Sequence, residues 1–466
     1  MPRSLDEWLA YQTSVHPQAI ALGLDRLRIV LDALNWRQPN IPVITVAGTN
    51  GKGSVSGYCA AIMAAAGYRV GTFTSPHLRD YRERIRVNDR LVDEAELLSA
   101  FERIENARGT VGLTFFEFNT LAALLVFEAA RLDAWVLEVG MGGRLDAVNV
   151  VDPDVAVVVS IGFDHQEYLG ATLESIGREK AGIFRTGRAA VLGSSEMPSV
   201  VADAASAIGA PLKRIGVEYS YELEDIAPAK NAIATEARAW CYRGSRWNLR
   251  HLPAPALAGE TQYANAATAI AALEEIDGRL LIPGIAVAQG LSRVRLVARF
   301  QVIAPANAQA PTWILDVAHN PAAARVLARN LRALDSGVLH SGGPGTGGRT
   351  LAVLGILADK DAPGVIAELR DSVDAWWCVA TDGERGRSSA ALAEVVRQQV
   401  SVPVAAAQDT AAGCRAASAY ARPHDRIVVF GSFHAVGPAL DWLEAHDLLP
   451  QAALPEYTAA PRGINV

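Results

Sequence analysis

Lysine is scarce in this chain of 466 residues. Only five of the 43 basic residues are lysines, and the other 38 are arginines. Because arginine is preferred so strongly elsewhere, a retained lysine suggests chemistry that a guanidinium cannot perform, either as a compact point charge or as an amine that can lose its proton. By their sequence surroundings, Lys52 and Lys180 are the two lysines that fit this description.

Closely spaced cysteines, long apolar runs and basic stripes are also absent. The four cysteines lie far apart with no CxxC or zinc spacing, so we expect reduced thiols. No run of about 18 apolar residues could span a membrane, and the first residues lack the apolar segment of a signal peptide, so we expect a cytoplasmic location and no membrane partner. The net charge is −7 with both signs spread along the chain. This distribution argues against a nucleic-acid partner and favours small anionic ligands.

The length allows two to three domains of roughly 150 residues each. Apolar strand-like runs alternate with helical runs in the first part of the chain, and this alternation restarts near residue 300. Such alternation predicts an α/β fold in which helices cover both faces of a parallel, doubly wound sheet. We predict an N-terminal domain with a phosphate-binding loop (P-loop) over residues 1–297 and a smaller, Rossmann-like C-terminal domain over residues 298–466.

Two segments do not follow this alternation of strands and helices. Residues 213–255 alternate polar and aromatic side chains, which predicts antiparallel strands at the edge of the first domain. Residues 341–348, SGGPGTGG, read as a flexible loop within the second domain.

A glycine-rich loop, AGTNGKGS at residues 47–54, stands between a short β-branched run and an alanine-rich helical segment. Its glycines allow backbone N–H groups to turn toward a phosphate, the helix N-terminus adds a positive dipole end, and Lys52 supplies a mobile charge. The spacing departs from the Walker A pattern, because the first glycine comes two positions late and Gly53 separates Lys52 from Ser54. An ordinary strand-to-helix turn is the alternative. We predict a nucleotide site formed by Gly51, Lys52, Gly53 and Ser54.

Three further residues are candidates for the site, two of them after apolar runs and one, Lys180, between apolar residues. Glu138 ends a strongly apolar strand, where a buried charge is costly unless a cation pairs with it. That cation could be a metal ion or the side chain of Arg144. His165 follows another apolar strand and could be a ligand or a histidine in a surface turn. Lys180, predicted at a helix start, could form a surface ion pair with Glu179 or Glu174.

Nine motifs in one order carry a family resemblance. They are TSPHL (74–78), ERIRVN (83–88), TFFEF (114–118), LEVGMGGRLDAVNVV (137–151), DHQEYLG (164–170), REKAGIF (178–184), NAATAIAAL (265–273), DVAHNP (316–321) and GILADKD (355–361). Together they resemble the folylpolyglutamate synthase and dihydrofolate synthase family of ATP-dependent amide ligases, in the Mur ligase superfamily. Two departures are ARF at 298–300, where the family usually has GRF, and a longer stretch before DVAHNP.

The resemblance implies that ATP activates a carboxylate as an acyl phosphate, which the amino group of L-glutamate then attacks to give an amide. A carboxylate that attacks a phosphate brings like charges together, so the site needs cations and donors placed in advance. By resemblance, Mg²⁺ is ligated by Ser75, Glu138 and His165. The resemblance further implies that Lys180 is carbamylated and that Lys52, Lys180 and His165 serve catalysis. The resemblance also places ATP against Asn265, Arg299, Asp316 and His319, with Arg299 at the phosphates and Asp316 at the ribose.

For the second substrate, the resemblance implies a dihydropteroate site. Its residues would be Thr114, Phe115, Phe116, Glu117, Leu145, Asp146 and Ala147. The aromatic rings offer flat apolar contact and Glu117 a polar one, although at least one phenylalanine of TFFEF is expected in the core. We predict that Glu117→Gln lowers the use of dihydropteroate more than that of tetrahydrofolate.

The function implied is therefore ligation of glutamate to dihydropteroate and to tetrahydrofolates by a monomer. A folylpolyglutamate synthase without dihydropteroate activity is the main alternative. A peptidoglycan Mur ligase shares the loop but normally carries a UDP-sugar domain before it. A nucleotide-switch protein would not need the metal ligands.

Overall fold

The structure is a computed structural model that describes residues 2–224, 239–305, 307, 309–335, 348–383 and 385–449. Its first sheet has eight strands in the order β4-β3-β2-β5-β1-β6-β7-β8. These strands are β1 (Val43–Ala47), β2 (Val70–Phe73), β3 (Ile85–Val87), β4 (Arg90–Leu91), β5 (Ala134–Glu138), β6 (Val155–Val158), β7 (Ala189–Leu192) and β8 (Leu212–Arg214). The six strands from β2 to β8 in this order are parallel, and among the described strands of this sheet the β2–β3 and β3–β4 pairs at one edge are antiparallel.

Helices cover both faces of this sheet. Those of the first part of the chain are α1 (Leu5–Ser14), α2 (Asp25–Ala33), α3 (Lys52–Ala65), α4 (Glu94–Arg108), α5 (Phe115–Ala130), α6 (Gln166–Leu169), α7 (Leu173–Ala181) and α8 (Ser199–Ala207). The central strands β1, β5 and β6 are buried along their whole length, because a parallel sheet with two covered faces exposes neither side. Two separate apolar cores result, one on each face.

A small antiparallel sheet follows, with strands β9 (Ser220–Leu223), β10 (Trp240–Arg243) and β11 (Asn248–Leu252) in the order β11-β10-β9. The prediction of antiparallel strands over 213–255 is therefore confirmed for β9, β10 and β11, which form a separate sheet, whereas β8 at the start of this range joins the first sheet in parallel. Helices α9 (Thr261–Glu274) and α10 (Gly284–Arg293) then pack against α3.

The second domain has a six-stranded sheet in the order β12-β13-β17-β14-β15-β16. Its strands are β12 (Gln301–Ile303), β13 (Thr312–Leu315), β14 (Thr350–Leu354), β15 (Ala375–Val379), β16 (Val404–Ala407) and β17 (Arg426–Phe430). Its helices are α11 (Pro321–Asp335), α12 (Ala362–Leu369), α13 (Ser389–Arg397), α14 (Thr410–Tyr420) and α15 (Phe433–Ala445). Only β12 is antiparallel to its neighbour. The predicted fold class is confirmed, while the exact boundary between residues 297 and 298 stays a prediction.

The segment between the domains is compact and conformationally unusual. Ala298 and Phe300 both have positive φ angles, 60° and 46°, and both are buried. Glycine adopts this region without a Cβ penalty, whereas other residues do so at a cost. Here the ARF departure from the usual GRF places an alanine at a position whose backbone favours glycine.

Two further predictions from the sequence concern a glycine-rich loop and membrane-spanning helices. The glycine-rich segment 341–348 lies outside the described residues except for Gly348. Among the helices that the structure describes, none has the combined length and apolar character needed to cross a membrane.

Candidate active site

The phosphate loop joins β1 to α3 at the carboxyl edge of the first sheet, where ligands of doubly wound sheets bind. Gly51 has φ of 85°, and a Cβ added there would lie 2.8 Å from Val159 Cγ1 and 2.9 Å from Asn265 Oδ1. A side chain at this position would therefore be both strained and obstructed. Lys52 begins α3, and its Nζ donates to the carbonyl of Gly48 at 2.9 Å. The loop thus presents a helix N-terminus and a lysine at one point.

Glu138 lies beside this loop, at the end of β5. Its side chain is only 3% exposed, and burial raises its pKa to about 7 although Lys52 and Arg299 nearby favour the charged form. The backbone of Ser75 also favours the charged form and so lowers the pKa of Glu138, though less than burial raises it. A Cβ added to Gly53 would lie 3.4 Å from Arg299 Nη2 and 3.7 Å from Glu138 Oε2. The structure therefore brings together Ser75, Glu138, Arg299 and the first turn of α3.

The alternative partner for Glu138 is wrong. Arg144 pairs instead with Glu179, with 2.9 Å between Nη2 and Oε1. Within the part of the chain that the structure describes, the salt bridges do not include Glu138. A buried carboxylate without a paired cation is what a bound cation would stabilise.

The predicted metal ligands are a hydroxyl, a carboxylate and an imidazole. Over the described ranges, no cluster of three His, Cys, Asp or Glu side chains could hold a metal ion, and Ser75, Glu138 and His165 contain only two such side chains. These residues fit Mg²⁺ rather than zinc, since Mg²⁺ keeps several waters and is bound by one or two protein carboxylates plus substrate phosphates.

His165 is the residue that caps the short helix α6. Its φ is 50°, and burial lowers its pKa to about 4. The ring is therefore neutral at pH 7, with a nitrogen lone pair that a metal ion can use. The preceding residue, Asp164, accepts hydrogen bonds from Lys360 at 2.5 Å and from His319 Nε2 at 3.2 Å. Burial alone would raise the pKa of Asp164, but His319, His165 and Lys360 together hold it well below its usual range.

Lys180 lies in the last turn of α7, not at a helix start as predicted. The helix begins earlier because Thr172 and Ser175 form a capping box, and Gly182 is its C-cap. The ion pair with Glu179 or Glu174 is also wrong, because the Lys180 side chain is buried and its Nζ donates to the carbonyl of Gly48 at 3.0 Å. Burial, and then the nearby charge of Lys52, lower the pKa of Lys180 to about 7.

A cavity of about 300 Å³ adjoins these groups and is lined by both domains. Six of the seven residues predicted for dihydropteroate line it, namely Thr114, Phe116, Glu117, Leu145, Asp146 and Ala147. Phe115 instead packs against Tyr81, with 6.0 Å between ring centroids, and against the guanidinium of Arg84. Phe118 is the expected core residue, fully buried in α5.

Glu117 lines the cavity, but its carboxylate is engaged by the protein. It accepts the backbone N–H of Thr114 at 2.8 Å and the hydroxyl of Thr114 at 2.9 Å, which closes a capping box at the start of α5. Arg26 also pairs with it at 2.9 Å. Glu117 therefore joins α2 to α5, and few of its lone pairs are left for a ligand.

Asp146 is likewise tied to the backbone. It accepts the N–H groups of Met141 and Val148, at 2.8 and 3.0 Å, and burial raises its pKa to about 6. The neighbouring Leu145 carbonyl accepts the N–H of Gly23 at 3.1 Å. This contact attaches the segment 19–23, which lines the cavity and carried no motif in the sequence.

Arg84 is a further cavity residue that sequence reasoning missed, although it lies within the ERIRVN motif. Its side chain is buried, and burial lowers its pKa to about 10. Its Nε donates to His77 Nδ1 at 2.7 Å, and its guanidinium lies over the rings of Tyr81 and Phe115. No acidic side chain forms a salt bridge with it in the described part of the structure, so this cation is suited to an anionic substrate.

The predicted nucleotide contacts lie beside the phosphate loop and at the domain interface, and one of them, His319, also lines the cavity. Asn265 stands against Gly51, while His319 contacts Asp164. Asp316 follows β13, and its two carboxylate oxygens accept the N–H groups of Phe300 at 2.8 Å and Ala318 at 2.7 Å. Asp316 therefore holds the backbone of the segment that carries Arg299. Its contact with the ribose stays a prediction.

Comparisons with known proteins agree with this architecture. Residues 46–273 match the Mur ligase middle domain, and residues 298–433 match the Mur ligase glutamate ligase domain. The dihydrofolate synthase/folylpolyglutamate synthase of Escherichia coli (strain K12) is 42% identical over 95% of this chain and 96% of its own. The structure of E. coli FolC with DHPP and ADP has a TM-score of 0.86 at 41% identity, covering 96% and 100% of the two chains. A bifunctional folylpolyglutamate synthase/dihydrofolate synthase with Mn, AMPPNP and L-glutamate bound has a TM-score of 0.82 at 40% identity, covering 95% and 98%.

Proposed function

This chain belongs to the dihydrofolate synthase/folylpolyglutamate synthase family of Mur ligases, and we propose that it joins L-glutamate to dihydropteroate and to tetrahydrofolates. The reaction consumes ATP, requires Mg²⁺ and passes through an acyl phosphate. The observation that carries the proposal is the placement of a phosphate loop, an unpaired buried carboxylate and a cavity with a buried arginine at one junction of two domains.

The phosphate groups of ATP would bind at the N-terminus of α3. Gly51, Gly53 and Ser54 supply backbone N–H groups there, and Lys52 supplies a charge that can leave the Gly48 carbonyl for a phosphate oxygen. Arg299 approaches the same turn from the second domain. These donors offset the repulsion between a substrate carboxylate and the γ-phosphate, because they are in place before the attack.

Ser75, Glu138 and His165 would hold Mg²⁺, which neutralises phosphate charge when bound. The raised pKa of Glu138 means that the side chain is partly protonated at pH 7 in the free protein. A bound cation favours its charged form, so metal binding and proton release are coupled at this residue.

Lys180 would be carbamylated. Carbamate formation needs an amine without its proton, and a pKa of about 7 leaves a large neutral fraction at pH 7. Its position beside Gly48, close to Lys52, would place the new anion next to the phosphate loop. The anion would then orient that loop and the metal side of the site.

The substrates would lie in the 300 Å³ cavity, with the apolar ring of Phe116 on one wall and Arg84 near the reacting end. Both domains contribute walls, so the closed arrangement limits access of water to a hydrolysable acyl phosphate. We also propose a monomer without a nucleic-acid partner. All four cysteines are unpaired and buried, which supports a reducing, cytoplasmic location.

A ligation assay tests this function and its alternative in one experiment. Purified protein, ATP, Mg²⁺ and radiolabelled glutamate are incubated with dihydropteroate in one sample and tetrahydrofolate in another. Amide formation with both substrates is expected. Product with tetrahydrofolate alone would favour the folylpolyglutamate synthase alternative, and no product with either substrate would contradict the proposal.

A further inference from the structure

The two domains meet at a carboxylate, Asp164, that lies beside the candidate metal site. Asp164 belongs to the first domain, in the loop between β6 and α6. Lys360 Nζ and His319 Nε2, both of the second domain, donate to its two oxygens at 2.5 and 3.2 Å. The side chains of Asp164 and Lys360 are only 10% and 8% exposed. This is a buried contact across the domain interface, in which a charge left alone would be costly.

The same carboxylate also holds the backbone of His165. Asp164 Oδ1 accepts the His165 N–H at 2.9 Å, and His165 has a φ of 50°. A left-handed conformation is unfavourable for a residue with a side chain, so it persists only where neighbouring contacts fix it. One oxygen of Asp164 thus contacts both the second domain and the residue that aims the imidazole at the site.

His319 completes this arrangement. Its Nδ1 lies 2.8 Å from the Val317 carbonyl and its Nε2 faces Asp164. Nearby, the amides of Asn50 and Asn320 exchange two hydrogen bonds across the interface, at 3.2 and 3.0 Å. The phosphate loop and the metal side are therefore connected to the same short segment that follows β13.

We propose that Asp164 is a positioning residue that couples closure of the second domain to the placement of His165. When Lys360 and His319 dock, they hold the Asp164 carboxylate in the orientation that fixes the His165 backbone. When the domains separate, Asp164 loses both partners, and His165 loses the support for its left-handed conformation. The site is then complete only in the closed molecule. This inference rests on the proposed ligase function for its catalytic consequence, but not for the coupling itself.

The chain offers a matched control in a second ion pair between the domains. Arg79 of the first domain pairs with Asp441 at 2.8 Å and Glu444 at 2.5 Å in α15. These side chains are 27–49% exposed and are not part of the cavity lining. If any ion pair between the domains were enough for activity, substitutions at Arg79 and at the Asp164 contact would lower ligation by similar factors.

The test compares Lys360→Met, Asp164→Asn, the double variant and Arg79→Met, each checked for folding by its thermal unfolding. In ligation assays, each single variant at the Asp164 site is expected to lose roughly 5- to 150-fold in kcat/KM. The double variant should lose no more than the worse single variant, because both substitutions break one contact. Arg79→Met should stay within about threefold of wild type.

Small-angle X-ray scattering with Mg²⁺ and AMPPNP bound gives a readout independent of ligation. Wild type and Arg79→Met are expected to be compact, and the Lys360 and Asp164 variants to have a larger radius of gyration. Equal compaction of all variants, or additive losses in the double variant, would overturn the coupling. If the wild type forms no amide at all, the ligase function fails, whereas the scattering comparison still decides whether Asp164 couples the domains.

Discussion

At the scale of single residues, Lys52 carries the most direct prediction. Its Nζ lies at the first turn of α3, and its hydrogen-bond partners among the described residues are the backbone carbonyls of Gly48 and Thr49, so it can move to a phosphate. Lys52→Ala is expected to lower turnover by about a hundred- to a thousandfold, since loss of one preorganised donor costs roughly 2.7–4 kcal/mol. Lys52→Arg should not restore it, because a guanidinium is larger and planar. Turnover within threefold of wild type, measured in steady-state ligation assays, would contradict this role.

Substitutions of Lys180 test whether this side chain is carbamylated. Lys180→Ala should lower ligation, and a short carboxylate or bicarbonate in the buffer should restore part of the rate, because an anionic oxygen is missing. Lys180→Arg serves as the control: it keeps a positive charge but cannot form a carbamate. A fully active arginine variant would exclude the carbamate. Mass spectrometry of the intact protein under CO₂ gives an independent measurement.

Glu138 makes stability depend on pH. Its pKa is about 7 in the folded protein and ordinarily 4.5, so the folded state binds more protons between these values. Stability therefore falls as pH rises from 4.5 to 7 and stays lower above 7. Without metal and nucleotide, Glu138→Gln should be more stable than wild type at pH 8, by up to about 3 kcal/mol. Urea unfolding at pH 5 and pH 8 measures this difference, and Mg²⁺ with nucleotide should narrow it. A difference that does not change with pH would count against the buried, uncompensated charge.

At the scale of elements, Glu117 links α2 to α5. The sequence suggests that Glu117→Gln impairs dihydropteroate use selectively, but the structure shows its carboxylate engaged by Thr114 and Arg26. We now expect a loss of stability of about 1.5–3 kcal/mol, the usual contribution of hydrogen bonds to a charged group. The kcat/KM values for dihydropteroate and tetrahydrofolate should then fall by similar factors. A selective loss of activity with dihydropteroate would instead support direct binding of that substrate by Glu117.

At the scale of the whole molecule, both domains should respond to nucleotide. Asn50 of the phosphate loop contacts Asn320, and Arg299 of the linking segment reaches Gly53. Mg²⁺ and AMPPNP at about 100 times the Kd should add roughly 2.7 kcal/mol of stability. In calorimetry we expect unfolding transitions of both domains to shift upward, and Lys52→Ala should abolish the shift. A shift confined to one unfolding transition would mean that the second domain does not contact the bound nucleotide.

Much of the fold could be predicted because it follows from local pattern. Apolar runs such as that of β6 predict buried parallel strands, and the glycines before α3 predict the phosphate loop. Ser75 and Glu138 were assigned to the metal site through the family resemblance, and each lies at the carboxyl end of a strand of the parallel sheet, whose ends meet at one edge. The placement of Lys180 was wrong because the capping residue Thr172, several positions earlier, decides where α7 begins.

By itself, the sequence determined the fold class, the phosphate loop and the family, because these depend on residue types at short spacings. Only the tertiary structure decided which partners the polar residues take. It paired the carboxylate of Glu117 with Arg26, buried Lys180 against Gly48, and left Arg84 without an acidic salt-bridge partner among the described residues. It also joined Asp164 to Lys360, 196 positions later in the chain. The pairing of Asp164 with Lys360 forms only when the two separate sheets pack together. Those of Arg26 with Glu117 and of Lys180 with Gly48 form only when distant segments of the first domain pack, so no local pattern records any of the three.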